Sequence, residues 1–123
     1  MVEERKGDYN AVFTADELAW AFTVQGVVAI YPSIDHVHIL EPADRGELIG
    51  VLTMRQWEIE WLRTKPGHED GGVATRLVQE CIARFGGGLL SCSIVASDGD
   101  RLKLEKILGN CGFSSDGAGN WTR

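Results

Sequence analysis

Thr64-Lys65-Pro66-Gly67-His68-Glu69-Asp70-Gly71-Gly72-Val73-Ala74-Thr75-Arg76-Leu77 is the stretch from which the rest of the chain can be read. A strand is expected to run into it, Trp57-Glu58-Ile59-Glu60-Trp61-Leu62-Arg63 and on to Thr64. A helix is expected to leave it, because Val73, Leu77, Val78, Cys81, Ile82 and Phe85 recur at the spacing of one helical face. Between them lie Gly71 and Gly72 and few apolar side chains. A strand, a glycine-rich turn and a helix start together aim several backbone N–H groups at one point, and the helix dipole adds partial positive charge there. Paired glycines let the backbone turn tightly and let an anion approach with no Cβ in the way. The stretch therefore reads as a phosphate cradle.

Working outward, Leu48 to Met54 is a strand whose continuous apolar run suits a central place in a sheet. Only Arg55-Gln56 separates it from the strand at Trp57, so the two are expected to pair as an antiparallel hairpin. Downstream of the helix, Gly86-Gly87-Gly88 is a stop and Leu89 to Val95 a further strand. Ser97 or Asp98 can cap a second helix from about residue 99 to Leu108, with Leu102, Leu104, Ile107 and Leu108 as its apolar set and Gly109 and Gly112 ending it. Phe113-Ser114-Ser115 and Asn120-Trp121-Thr122 are two short strands around the turn Asp116-Gly117-Ala118-Gly119. Upstream, Thr14 with Glu17 makes a capping box for a helix to about Gln25, ended by Gly26. Val27 to Tyr31 is a strand stopped by Pro32, Val37 to Leu40 is another, and Pro42 to Gly46 is a turn. Residues 1–8 read as a loose tail.

The chain has 123 residues, which suits one domain over 1–123 with one real core. Its net charge of −6 argues against a nucleic-acid surface, which would carry a basic stripe, and against a membrane-surface helix. Mild acidity suits a cationic substrate or partner, although solubility alone accounts for it. The charged start Met1-Val2-Glu3-Glu4-Arg5-Lys6-Gly7-Asp8 has no apolar core of the signal-peptide kind, and no run is long enough to span a bilayer, so a cytoplasmic protein is expected. Cys81, Cys92 and Cys111 are odd in number and lack C-x-x-C spacing. They read as reduced core or near-core thiols, with no metal site and no disulfide.

The order of elements gives an α/β domain: a mixed, largely antiparallel sheet flanked by helices, parallel at the strand–helix–strand unit with its right-handed crossover. Over roughly residues 37 to 123 this resembles the GNAT N-acetyltransferase superfamily, in the form of a small single-domain member. The family's pyrophosphate motif, Arg/Gln-x-x-Gly-x-Gly/Ala, falls in register on Glu69-Asp70-Gly71-Gly72-Val73-Ala74, with Pro66 upstream and Leu77 downstream. The family's Gly-Phe pair after the second helix is Gly112-Phe113. The resemblance implies acetyl-CoA as acyl donor. It implies a pantetheine arm between splayed strands, bonded to the backbone of Leu62, Arg63 and Thr64. It also implies a pyrophosphate met by the N–H groups of Gly71, Gly72, Ala74 and Thr75, the Thr75 hydroxyl adding to them and Val73 and Arg76 lying within the same binding stretch.

The same resemblance offers a general base on the strand before the cradle, which counts back to Glu58. The strand's alternation puts Glu60 on the same face, opposite Trp57, Ile59 and Trp61. Adjacent carboxylates favour protonation of one another, which suits a base; both could equally sit on a solvated face. Trp57 and Trp61 read as packing under the sheet, with a substrate cage as the alternative. His36 and His38 either face a cleft or merely flank a strand, and Arg101, Lys103 and Lys106 form a solvated face or meet the 3′-phosphate of CoA.

The sequence departs from the family's pattern at two positions. Glu69 stands where Arg or Gln is usual, with Asp70 beside it, and Leu108 stands where many members carry a thiolate-protonating tyrosine. Three readings follow: an N-acetyltransferase acting on a primary amine of a small molecule or a protein lysine, a catalytically impaired domain that binds another protein, or an enzyme that transfers a different acyl group. Homodimerisation, common in the family, is compatible with all three.

Overall fold

A strand with apolar residues at successive positions must bury both faces, and β5 (Gly50–Arg55) does so. Leu52 and Met54 enter one core with Ile59, Leu77, Val78, Cys81, Leu90, Leu108 and Phe113. Val51, one position on from Gly50, enters a second core with Phe13, Ala21, Phe22 and Leu48. The sheet therefore has the helices Val73–Phe85 and Asp98–Asn110 on one side and the helix Ala15–Ala21 on the other. The computed structural model describes residues 2–7, 9–24, 27–28, 34–40, 48–55, 57–68, 71–85, 90–93 and 98–123.

In chain order the elements are β1 (Val2–Gly7), α1 (Tyr9–Val12), α2 (Ala15–Ala21), β2 (Thr23–Val24), β3 (Val27–Val28), β4 (Ile34–Leu40), β5, β6 (Glu58–Thr64), α3 (Val73–Phe85), β7 (Ser91–Ser93), α4 (Asp98–Asn110), β8 (Ser114–Ser115) and β9 (Asn120–Thr122). Seven strands form one sheet in the order β1-β4-β5-β6-β7-β9-β8, and β2 and β3 pair by themselves. Every ladder in the large sheet is antiparallel except β6–β7, as the crossover through α3 requires. The α/β class, the β5–β6 hairpin and the parallel pair are thus those expected from the sequence.

The capping box is present. Thr14 Oγ1 accepts from the Glu17 N–H at 3.2 Å, and Glu17 Oε1 accepts from the Thr14 N–H at 2.9 Å. Helix α2 ends sooner than expected, at Ala21, with Phe22 as its cap. There the Trp61 indole Nε1–H donates to Ala21 O at 2.6 Å, fastening α2 to the sheet. Helix α4 runs past Gly109 to Asn110, and the chain turns at Gly112 with φ +89°.

The expectation of a loose tail is corrected. Residues 2–7 form an edge strand paired antiparallel with β4, from Val2↔Leu40 to Gly7↔Ile34. Its charges, which suggested a tail, fasten it instead. Arg5 Nη1 lies 3.5 Å from Glu17 Oε1 and donates to Val12 O at 2.9 Å, while Glu4 Oε2 lies 3.9 Å from Arg84 Nη1 on α3. Charged residues on an edge strand also discourage pairing with a stray chain. The expected turn over Pro42 to Gly46, the stops at Gly26 and Gly86 to Gly88, and the capping residue Ser97 lie outside the described residues.

Candidate active site

The cradle is built at the C-terminal end of β6. Lys65 N–H donates to Ile49 O at 2.8 Å, continuing the β5–β6 ladder one step, and His68 N–H then turns back on Lys65 O at 2.9 Å. Gly71 N–H donates to His68 O at 3.3 Å, and Gly72 O accepts the first helical bond, from Arg76 N–H at 3.0 Å. Gly72 is therefore the N-cap of α3, and it has no side chain to satisfy the helix's first donors. The N–H groups of Gly72, Val73, Ala74 and Thr75 have no acceptor among the described residues. Gly72 is held at φ +77°, where side-chain-bearing residues are strained, and a Cβ placed on it would meet nothing within 4 Å among the described residues. N–H groups at a helix start that lack an acceptor among those residues are what a phosphate group needs.

Of the expected donors, Gly71 spends its N–H inside the turn on His68 O, while those of Gly72, Ala74 and Thr75 have no acceptor among the described residues. Glu69 and Asp70, on which the electrostatics of the cradle depend, lie outside the described residues. Arg76 is exposed and His68 half-buried at the same turn.

Among the described residues, β6 pairs with β7 at Glu58↔Ser91 and Ile59↔Cys92, and its edge beyond Ile59 has no strand partner on that side. Since Lys65 bonds Ile49 directly, the ladder's alternation turns the backbone groups of Arg63 toward β5 and those of Leu62 and Thr64 away from it. Of the three residues expected to present backbone at the splay, Leu62 and Thr64 do so, and Arg63 does not.

At the other end of β6, the register slips between Thr53 and Met54, so that Glu60 is an extra residue, a β-bulge. The bulge overturns the simple alternation expected here. Ile59 faces the α3 core while Trp61, two residues on, packs with Phe22 on the α2 side, ring centroids 6.2 Å apart. Trp57 is not core packing at all; it sits in the hairpin turn and is 52% exposed. Glu58 and Glu60 converge on Arg55. Arg55 is the direct cross-strand neighbour of Glu58, and its Nε lies 3.3 Å from Glu60 Oε1. Arg55, Trp57, Glu58 and Ser91 line an open pocket. The pocket was not visible in the sequence, because it depends on Ser91 standing in register with Glu58 across β6–β7.

Nearby thiols are quiet. Burial, with a smaller contribution from the Glu58 carboxylate, pushes Cys92 up to about 11. Burial and then Cys92 push Cys81, which contacts Met54 Sδ at 3.1 Å, up to about 12. Both remain neutral thiols at physiological pH. Leu108, at the position of the family's tyrosine, is fully buried in the α3–α4 core. His36 and His38 are on β4, in register with Met54 and Leu52. Among the described residues no group of three His, Cys, Asp or Glu is placed to hold a metal ion, and no helix is long and apolar enough to cross a membrane.

No family model matches the sequence, and no curated protein matches it. Solved structures do match. The whole chain aligns with 96% of YhhK from E. coli, assigned as an N-acetyl transferase and determined with coenzyme A bound, at 14% identity and TM-score 0.67. Tetrahymena GCN5 aligns over 71% of this chain and 66% of its own length, at 15% identity and TM-score 0.53. A GnaT-family acetyltransferase of Bordetella pertussis aligns over 70% of this chain and 62% of its own, at 18% identity and TM-score 0.52. The chain therefore spans slightly less than two thirds of the length of the latter two. It has the GNAT acetyltransferase fold.

Proposed function

We propose that the protein is an N-acetyltransferase that moves an acetyl group from acetyl-CoA to a primary amine. The observation that carries this reading is the run of N–H groups from Gly72 to Thr75, without an acceptor among the described residues, at the end of a β6 edge that has no partner beyond Ile59 among those residues. The donor set fits the ligand's chemistry. Three or four N–H groups and a helix dipole suit a pyrophosphate, and the outward backbone of Leu62 and Thr64 suits an amide-bearing arm. When bound, acetyl-CoA supplies the activated thioester. The chain's own part is to hold that thioester beside Glu58, at the opposite end of the same strand and roughly 20 Å from Thr64 at the ordinary strand rise.

Glu58 is exposed, carries no ion pair among the described residues, and takes the amine's proton as nitrogen attacks. Glu60 is engaged by Arg55 and has the lesser role. Leu108 supplies no proton to the departing thiolate, and little is lost by that, because thiols titrate at about 8.5 and leave readily near neutral pH. The cytoplasmic setting expected from the sequence belongs to the same reading. The experiment is isothermal titration of the protein and of Gly72→Glu with acetyl-CoA, followed by thiol-release assays over amines. Binding by the parent alone, with turnover of an amine, supports the proposal; absence of binding by both overturns it.

The buried Leu108 favours a second reading, a GNAT-fold domain that has kept the shape and acts by binding another protein. It predicts partner binding that acetyl-CoA does not influence.

A further inference from the structure

The residues around Glu58 belong to a longer feature of the sheet. Arg55 pairs with Glu58 across β5–β6, Glu58 with Ser91 across β6–β7, Ser91 with Thr122 across β7–β9, and Thr122 with Ser114 across β9–β8. Residues in direct register project from the same face of a sheet. That face is the one away from α3 and α4, because the next residues along, Met54, Ile59, Cys92 and Trp121, all join the α3–α4 core. The result is one polar row across five strands, Arg55–Glu58–Ser91–Thr122–Ser114. Ser91 is half-buried and the other four are exposed. At the ordinary strand spacing the row extends about 14 Å from Glu58 to Ser114. Ser91, Thr122 and Ser114 make no side-chain hydrogen bond among the described residues, whereas neighbouring Asn120 and Ser115 are committed to the Asp116 turn. Trp57 stands at the acidic end with half its surface in solvent.

We infer that this row is the acceptor-recognition surface, and that it takes a small cationic amine on a hydroxyl-bearing body. The inference rests on the acetyltransferase reading for its place in the reaction, but the surface itself stands on register and exposure. Arg55 is balanced by Glu60, which leaves the Glu58 carboxylate and the face of Trp57 to receive an ammonium group. Three hydroxyls in line, with no side-chain hydrogen bond among the described residues, then offer donors and acceptors to a hydroxylated body. A protein lysine is a poorer fit. Protein docking surfaces are anchored by an apolar or aromatic cluster at their centre, and here the centre is Ser91 and Thr122, with the aromatic ring at the rim.

The test is titration of the whole protein, without acetyl-CoA, with three probes: an oligosaccharide-like amino polyol, spermidine and a lysine-containing peptide. The expected result is that the amino polyol binds tightest. Trp57→Ala should weaken it by about five- to thirtyfold, as a desolvated cation–aromatic contact implies, and Thr122→Val by severalfold. Spermidine should respond to Trp57→Ala but not to Thr122→Val. Circular dichroism on both variants controls for folding. Preference for the peptide, or amino-polyol binding indifferent to both substitutions, overturns the inference. A separate acetyl-CoA titration keeps the two questions apart. Acetyl-CoA binding with turnover of the peptide alone leaves the acetyltransferase standing and removes the row. Amino-polyol binding without acetyl-CoA binding does the reverse.

Discussion

Gly50 on β5 and Val73 at the start of α3 meet so closely that a Cβ built on Gly50 would overlap Val73 Cγ1. Leu77 Cδ1 would lie only 3.1 Å from the same position. The absent side chain is what lets the first turn of α3 lie against the sheet beside Thr64, the register partner of Gly50. Gly50→Val should therefore cost about 1–3 kcal/mol of stability through overpacking. It should also push the cradle off the end of β6, so that acetyl-CoA affinity falls more than stability predicts. Chemical denaturation and calorimetric titration of the variant check the two effects separately.

Gly72 is the reverse case. Its surroundings are open, but its φ of +77° is costly for any side-chain-bearing residue. Gly72→Ala should lower stability by about 1–2 kcal/mol and leave acetyl-CoA binding within a few fold, since the methyl meets nothing. Gly72→Glu adds a carboxylate before the N–H array and should weaken binding at least tenfold. Equal losses for Ala and Glu would place the anion elsewhere.

Glu58 and Glu60 look equivalent in the sequence and are not equivalent in the structure. Glu58→Gln should lower kcat roughly a hundredfold or more, the usual worth of a general base, without changing acetyl-CoA affinity. Glu60→Gln releases Arg55 toward Glu58 and should lower kcat less. Steady-state kinetics with the best amine, paired with direct acetyl-CoA titration, make the comparison; the opposite ranking would assign the base to Glu60.

The buried thiols set an alkaline limit. Cys81 and Cys92 are raised to about 12 and about 11, while the same thiols in the unfolded chain titrate near the ordinary value of 9.0. Above pH 9 the unfolded state has released these protons while the native state holds that of Cys92 up to about 11 and that of Cys81 up to about 12, so stability falls as pH rises through this range. Denaturation at pH 8 and pH 10.5 should show the loss, and Cys81→Ala with Cys92→Ala should shrink the pH dependence. Thiol reagents at pH 7.5 should reach half-buried Cys111 first.

Much of this was legible in the sequence where one local device decides the outcome. Thr14 and Glu17 announce their capping box, and Val73 to Phe85 announce a helix by period. Legibility failed where the outcome is tertiary. Residues 2–7 carry the charges of a tail, yet Arg5 and Glu4 find partners on α2 and α3, which no window of a few residues contains. Trp57 and Trp61 have the same spacing as any alternating pair. A bulge at Glu60 nonetheless sends Trp61 to the α2 side, and the hairpin turn leaves Trp57 in solvent. Gly71 was expected to offer its N–H outward, but His68 O captures it, a backbone turn that no residue pattern announces.

Among the described residues, the sheet is effectively two panels, β1-β4-β5-β6 and β7-β9-β8, stitched by the pairs Glu58↔Ser91 and Ile59↔Cys92 and by Ser91 N–H on Trp57 O at 2.9 Å. Panels joined at a seam can open locally without the whole domain unfolding. A ligand lying along Leu62 and Thr64 would add stitching at backbone groups that have no strand partner among the described residues. Its occupancy should then appear as slowed amide exchange at those two residues and in β7, and as a melting temperature that climbs with ligand concentration.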